Sequence, residues 1–270
     1  MRKIFLAMVA VLCTANMIAQ DVKGDVIIHT DMGDIVVVLY DETPKHKENF
    51  LKLAGEGFYT DLLFHRVIEG FMIQGGDPDS KNAKPGVQLG SGAVDYLIDA
   101  EFNPNLFHKK GALAAARRSD NLNSSGCQFY LVQGKTYTDT QLDQMNAGRE
   151  EARMQQVFDD FINAPENSNY LQRLIAAQQN NDRNTYTRII QEIEPKLMQI
   201  HKNDDSWKMT PEQREVYKTV GGAPFLDMQY TVFGEVIEGL DVIDKIAEVE
   251  TDRNDRPTKD VKMWMEVVKK

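Results

Sequence analysis

Two cysteines among 270 residues leave almost no disulfide chemistry. If the N-terminal segment that holds Cys13 is removed as a signal peptide, Cys127 is the one cysteine left and cannot pair within the chain. A solitary cysteine can be a nucleophile. Cys127, however, takes the small-residue position of Ser125-Gly126-Cys127-Gln128-Phe129-Tyr130, where a buried thiol behaves as a small hydrophobe. The five histidines include no H-E-x-x-H pair and no C-x-x-C accompanies them, so neither a metal site nor a cofactor is expected. His65 reads as a packing and hydrogen-bonding neighbour of Arg66 in preference to a ligand or base. Positive charge is also short: Lys and Arg number 31 against 41 Asp and Glu, a net −10, which argues against a nucleic-acid backbone binder. Repeats and low-complexity tracts are missing. At 42% hydrophobic and 27% charged, the chain suffices for one core with a sizeable elaboration.

The N-terminal apolar run, Ile4 to Leu12, is too short to span a bilayer. Preceded by Arg2 and Lys3 and followed by smaller and polar residues, it has the layout of a cleaved secretory signal peptide. Residues 1–19 are the expected signal, cut after Ala19, although Met17 is larger than the residue usual at that place; a cut after Ala15 is the alternative. Leu12 is not the small residue that precedes a lipidated cysteine. Soluble export, to the periplasm or out of the cell, is therefore favoured over lipoprotein processing, with no integral membrane segment once the signal has gone.

Val26 to Thr30 and Ile35 to Tyr40 are β-branched runs around Asp31-Met32-Gly33-Asp34, which predicts an antiparallel hairpin. Thr43-Pro44 predicts an N-cap and first helical residue, and Gly55 and Gly57 the stop. Val261, Met263, Met265 and Val267 alternate with polar positions as a final half-buried strand. Many short strands with glycine turns fit a sandwich or a closed barrel. From about 135 to 222 the pattern becomes helical. Thr138 to Gln141 is a capping box, and apolar stripes follow at Met154–Ile162, Tyr170–Ile175 and Tyr186–Ile193, the last ended or kinked by Pro195. Thr210-Pro211-Glu212-Gln213 caps a fourth helix running to Gly221-Gly222.

Phe64-His65-Arg66-Val67-Ile68-Glu69-Gly70-Phe71-Met72-Ile73-Gln74-Gly75-Gly76-Asp77 is the most informative stretch. Read as one extended segment, it lines Arg66, Ile68, Gly70, Met72 and Gln74 along a face, with a bend near Gly70 to bring Phe71 round. An arginine, an aromatic-methionine pair and a glutamine so arranged can hold a proline ring. The run resembles the FHR...GFM.QGGD signature of the cyclophilin family of peptidyl-prolyl isomerases. Gly111–Arg117, Ser125–Tyr130, Phe225-Leu226-Asp227 and Tyr230–Val236 resemble further blocks in the family's order.

The resemblance covers about 20–134 and 223–270 and implies a closed eight-stranded antiparallel barrel with capping helices, interrupted by an α-helical subdomain at 135–222. It implies Arg66 and Gln74 as catalytic residues. Phe71, Met72, Tyr130, Leu226 and Tyr230 would line the proline pocket, Ala116, Arg117 and Gln128 the adjoining groove, and Phe225 its edge. The chain departs from the family at Tyr130 for phenylalanine, Tyr230 for histidine, Phe225 for tryptophan and Arg117 for asparagine, which puts substrate preference and cyclosporin affinity in question.

The expected partners are proline-containing polypeptides and unfolded exported proteins, together with any protein docked by the helical insertion. Two other classes stay open: a proline-peptide-binding chaperone with incidental turnover, and a scaffold in which the helices do the work. Loss of Arg66 or Gln74 would mark the first, and the chain keeps both.

Overall fold

The computed structural model describes residues 24–269; the expected signal peptide, with Cys13 and its cleavage site, lies outside them. In chain order the elements are β1 (Val26–Thr30), β2 (Gly33–Leu39), α1 (Pro44–Gly55), β3 (Leu62–Leu63), β4 (Arg66–Ile68), β5 (Met72–Gly75), β6 (Leu97–Ile98), β7 (Ala112–Ala115), β8 (Ser124–Ser125) and β9 (Phe129–Val132). Four helices follow, α2 (Asp139–Asn163), α3 (Ser168–Gln179), α4 (Arg183–Lys202) and α5 (Pro211–Thr219), and then β10 (Val232–Glu238), α6 (Leu240–Ala247) and β11 (Lys262–Val267).

Nine strands form one antiparallel sheet in the order β3-β11-β1-β2-β10-β7-β9-β5-β4, while β6 and β8 pair separately. The expected closed eight-stranded barrel is corrected here: the sheet curls strongly into a half-barrel that hydrogen bonds do not close. Two register shifts in β10, at Val232/Gly234 and Val236/Glu238, add local twist. Beyond the edge strand β4 lies a loop instead of a strand, with the Val67 N–H donating to the Asp255 carbonyl at 2.8 Å.

Alternation along β5, β7 and β9 gives this part of the sheet two buried faces. Phe129 and Leu131 of β9, Leu113 and Ala115 of β7 and Ile73 of β5 join the main core with Phe50, Tyr59 and Phe233. Their neighbours Tyr130, Val132, Ala112, Ala114 and Met72 face the other way, into a smaller cluster with Ala116, Val232 and Ala223. Both faces are apolar, so β7 and β9 read as continuous hydrophobic runs. Helix α1 packs on β10 and β11, and α6 on β2, β4 and β5. The N-terminus of α1 is not capped by Thr43, whose side chain makes no capping bond. The distant Glu101 carboxylate accepts instead from the Lys45 and His46 N–H groups, at 3.2 and 3.1 Å.

The helical stripes satisfy one another. Val157, Ile193 and Leu197 bring α2 against α4, and Ile162, Leu174 and Ile189 add α3. The capping boxes at Thr138 and Thr210 form as read. Pro195 does not end α4, which continues to Lys202 with Ile193 and Leu197 buried on either side of it; packing outweighs a proline penalty of about 3 kcal/mol. The two ends of the helical segment meet. Lys135 and Gly222 exchange backbone hydrogen bonds of 3.3 and 3.0 Å. Gly134, at φ +67°, abuts Gly222 so closely that a Cβ there would collide with its backbone. No helix among the described residues is long and apolar enough to cross a membrane.

Candidate active site

The Arg66–Gln74 stretch is not one extended segment but a hairpin. A turn from Ile68 to Phe71, with Gly70 at φ +73°, folds β5 back on β4 so that Arg66 faces Gln74 and Ile68 faces Met72. The register then runs on across the sheet: Gln74 opposes Tyr130 of β9, and Tyr130 opposes Ala114 of β7. Arg66, Gln74 and Tyr130 therefore stand in one cross-strand row on the face opposite the main core.

That row borders a cavity of about 600 Å³. Arg66, Phe71, Met72, Gln74, Ala116, Arg117, Tyr130, Leu226 and Tyr230 all line it, nine of the eleven residues expected from sequence. The other two sit beside it. Gln128 lies behind Gln74, accepting from Gln74 Nε2 at 3.0 Å and donating to the Gly90 and Gly92 carbonyls at 3.1 and 2.7 Å. Phe225, 45% exposed, packs against Phe71 with ring centroids 5.3 Å apart. It lines a neighbouring cavity of about 440 Å³, between α2 and residues 225–229, with Met145, Arg149 and Trp207.

Arg66 is oriented without being saturated. Its Nη1 reaches Gln74 Oε1 at 3.4 Å and its Nε approaches Asp255 at 3.6 Å, two long contacts for a group with five donors. Arg117 is held firmly: Nε donates to the Gln229 carbonyl at 2.7 Å and Nη1 to the Arg118 and Asn121 carbonyls at 3.0 Å, with the guanidinium 4.6 Å from the Tyr230 ring centre. The cation at this position thus clamps the rim.

Tyr130 is 4% exposed, and its hydroxyl meets His108 Nε2 at 2.9 Å. His108 Nδ1 and backbone N–H both meet Asp227 Oδ1 at 2.9 Å, while Asp227 Oδ2 accepts from Tyr217 at 2.7 Å and Arg149 at 2.6 Å. Burial alone would raise the Asp227 pKa, but the His108 hydrogen bonds and the Arg149 guanidinium hold it below the usual carboxylate range.

His65, 3% exposed, also lines the main cavity, and its ring nitrogens lack hydrogen-bond partners, so the hydrogen bonding expected of it beside Arg66 is corrected to packing alone. Burial pushes its pKa down to about 4 against the pull of Asp77, so the ring is neutral at pH 7. Val87 to Ser91, Asp252, Asn254 and Arg256 complete the lining. Sequence reading missed these loop positions, which carry no periodicity. Arg256 gives the nearest thing to a signal, a loop arginine only 4% exposed that donates to the Lys84 and Val87 carbonyls at 3.0 and 2.6 Å.

The family model described as cyclophilin type peptidyl-prolyl cis-trans isomerase/CLD matches residues 25–194 and 208–267. The chain belongs to the cyclophilin-type peptidyl-prolyl cis-trans isomerases. This cyclophilin is 29% identical over 243 residues to a "Putative peptidyl-prolyl cis-trans isomerase" of Staphylococcus epidermidis, covering 90% of each chain. A protein of the same name from Staphylococcus aureus strain COL is 29% identical over 247 residues, 91% of this chain and 92% of its own. Among solved structures, a Cryptosporidium parvum cyclophilin crystallised in the presence of the dipeptide Ala-Pro shares the fold at TM-score 0.51 and 19% identity, covering 91% of this cyclophilin and 99% of that chain. A second structure of it gives 0.52 at 18% identity, covering 92% and 98%.

Proposed function

We propose that this cyclophilin accelerates rotation about Xaa-Pro bonds during the folding of exported proteins, with Arg66 and Gln74 as its catalytic residues. The reading rests on one observation: Arg66, Gln74 and Tyr130 share a cross-strand row beside a cavity lined by Phe71, Met72 and Leu226. Rotation pyramidalises the imide nitrogen against a barrier near 20 kcal/mol and breaks no bond. The catalyst must seat the proline ring and stabilise the nitrogen lone pair that appears near the transition state. Phe71, Met72 and Leu226 supply the apolar seat. The Arg66 guanidinium, always protonated, donates to the lone pair. Gln74 steadies Arg66 and hydrogen-bonds the substrate backbone, with Ala116, Arg117, Gln128, Tyr230 and Phe225 bordering the peptide. Raising the rate to about 10 per second requires roughly 4 kcal/mol, within the range of a charge-assisted hydrogen bond in a preorganised site.

The export setting rests on the leader at residues 1–19, and with it a periplasmic or secreted location. The division into an isomerase unit, 20–134 with 223–270, and an inserted helical unit, 135–222, is supported by the Lys135–Gly222 hydrogen bonds that bring the segment's ends together. A second reading, that the helices dock long clients or a partner protein, draws on the 440 Å³ cavity between α2 and residues 225–229. Exchange NMR on an Ala-Pro tetrapeptide tests the first reading. Cis and trans signals should exchange in the presence of substoichiometric protein; unchanged exchange contradicts it.

A further inference from the structure

We infer that Tyr130 is a positioning residue through which helices α2 and α5 set the floor of the proline cavity, by way of His108 and Asp227. The inference deepens the isomerase reading and rests on it. A phenol among Met72, Ala114, Val132 and Val232 needs a partner for its hydroxyl. His108, with no exposed surface, provides it at 2.9 Å. Asp227 accepts only, so the His108 nitrogen facing it, Nδ1, carries a proton, and in that tautomer Nε2 accepts a hydrogen bond from the Tyr130 hydroxyl. The phenol ring is thereby pinned in direction, with the Tyr230 ring edge-on to it at 6.0 Å.

The far end of the relay belongs to the helices. Asp227 is 7% exposed and divides its carboxylate between two parts of the molecule. Oδ1 serves His108, on the sheet side, while Oδ2 receives Tyr217 of α5 and Arg149 of α2. Arg149 also donates to the Pro224 carbonyl, next to Phe225. Neither Arg149 nor Tyr217 lines the proline cavity. Removing either leaves a buried carboxylate oxygen with one donor, a change that passes through His108 to the Tyr130 hydroxyl.

A double-mutant cycle in the full chain tests this, with kcat and KM measured on an Xaa-Pro tetrapeptide. Tyr217→Phe and Arg149→Gln should each lower kcat/KM about threefold or more when Tyr130 is present, and less than twofold in a Tyr130→Phe background, where the relay ends at His108. Equal losses in both backgrounds, or no loss in either, overturn the inference: the helices would then act by packing alone or not at all. The His108 ring N–H signal in 15N-resolved NMR gives a readout independent of turnover. It should move in both Tyr217→Phe and Tyr130→Phe; a signal unmoved by Tyr217→Phe refutes the relay. A wild-type chain without isomerase activity would defeat the functional reading, and the NMR comparison would still decide the relay.

Discussion

At the scale of single residues, position in the fold changes what a side chain type means. His65, beside Arg66, has no hydrogen-bond partner and a pKa pushed down to about 4 from an ordinary 6.5. The unfolded chain takes up the proton first, so stability falls as pH drops from 6.5 towards 4 and this group's share is constant below that. The slope approaches 1.4 kcal/mol per pH unit at most. Urea titrations at pH 7, 5.5 and 4.5 should show wild type losing stability more steeply than His65→Gln; parallel losses would mean that His65 is not buried neutral. Phe225 illustrates the reverse. It was expected at the groove edge, and it packs on Phe71 while opening on the neighbouring cavity. An indole there adds contact area and an N–H donor, so Phe225→Trp should bind cyclosporin more tightly than wild type in a direct titration, and equal affinities would refute this. Tyr130 was legible as a tyrosine at a pocket position where the family has phenylalanine. Its partners were not: His108 and Asp227 are 22 and 97 positions away, beyond any periodicity.

At the scale of elements, the alternation of β11 was readable from sequence because its exposed residues separate Met263 from Met265, whereas β7 and β9, buried on both faces, show none. The hairpin at Gly70 was not, since the eight positions between Arg66 and Gln74 fit one strand face as well as two paired strands. The open edge at β4 was equally invisible, being a matter of which distant segment arrives there. Of the two outcomes read at Pro195, an end or a kink, the end does not occur, because packing on α2 and α3 overrode a local rule. Glycines now separate by environment. Gly70 has φ +73° and open space, so Gly70→Ala should cost about 1–2 kcal/mol from backbone conformation alone. Gly134 combines φ +67° with backbone contact to Gly222, so Gly134→Ala should cost more, roughly 2–4 kcal/mol. Denaturant midpoints compare the two. An equal or smaller loss for Gly134→Ala would mean that the seam between helices and sheet yields readily.

At the scale of the whole molecule, the helical segment both closes on itself and is wired in. Its ends meet at Lys135 and Gly222, and its stripes bury one another, which favours clean excision. Yet Phe107, outside the segment, packs with Tyr137, Leu142 and Tyr217, and Asp227 Oδ2 draws both Tyr217 and Arg149 from it. Deleting 136–221 with a short Gly-Ser link should therefore leave a folded protein, destabilised by roughly 1–3 kcal/mol through the Asp227 Oδ2 left without its two donors. It should keep part of its activity on a tetrapeptide and lose more on a refolding protein. Circular dichroism and the two assays check this. An unfolded product would make the helices part of the main core, and unchanged activity on both substrates would remove them from client selection.

The central claim is that Arg66 turns a proline cavity into a catalyst, and protease-free isomerisation of a short Xaa-Pro peptide by wild type, Arg66→Ala and Arg66→Lys tests it most directly. Arg66 is half exposed at the cavity wall with only long contacts, so its removal should spare the fold. The account predicts a loss in kcat/KM of about 100-fold or more for alanine, corresponding to roughly 3 kcal/mol of transition-state stabilisation, and poor rescue by lysine, which lacks the planar fork. Near-wild-type catalysis by a folded Arg66→Ala protein would contradict it.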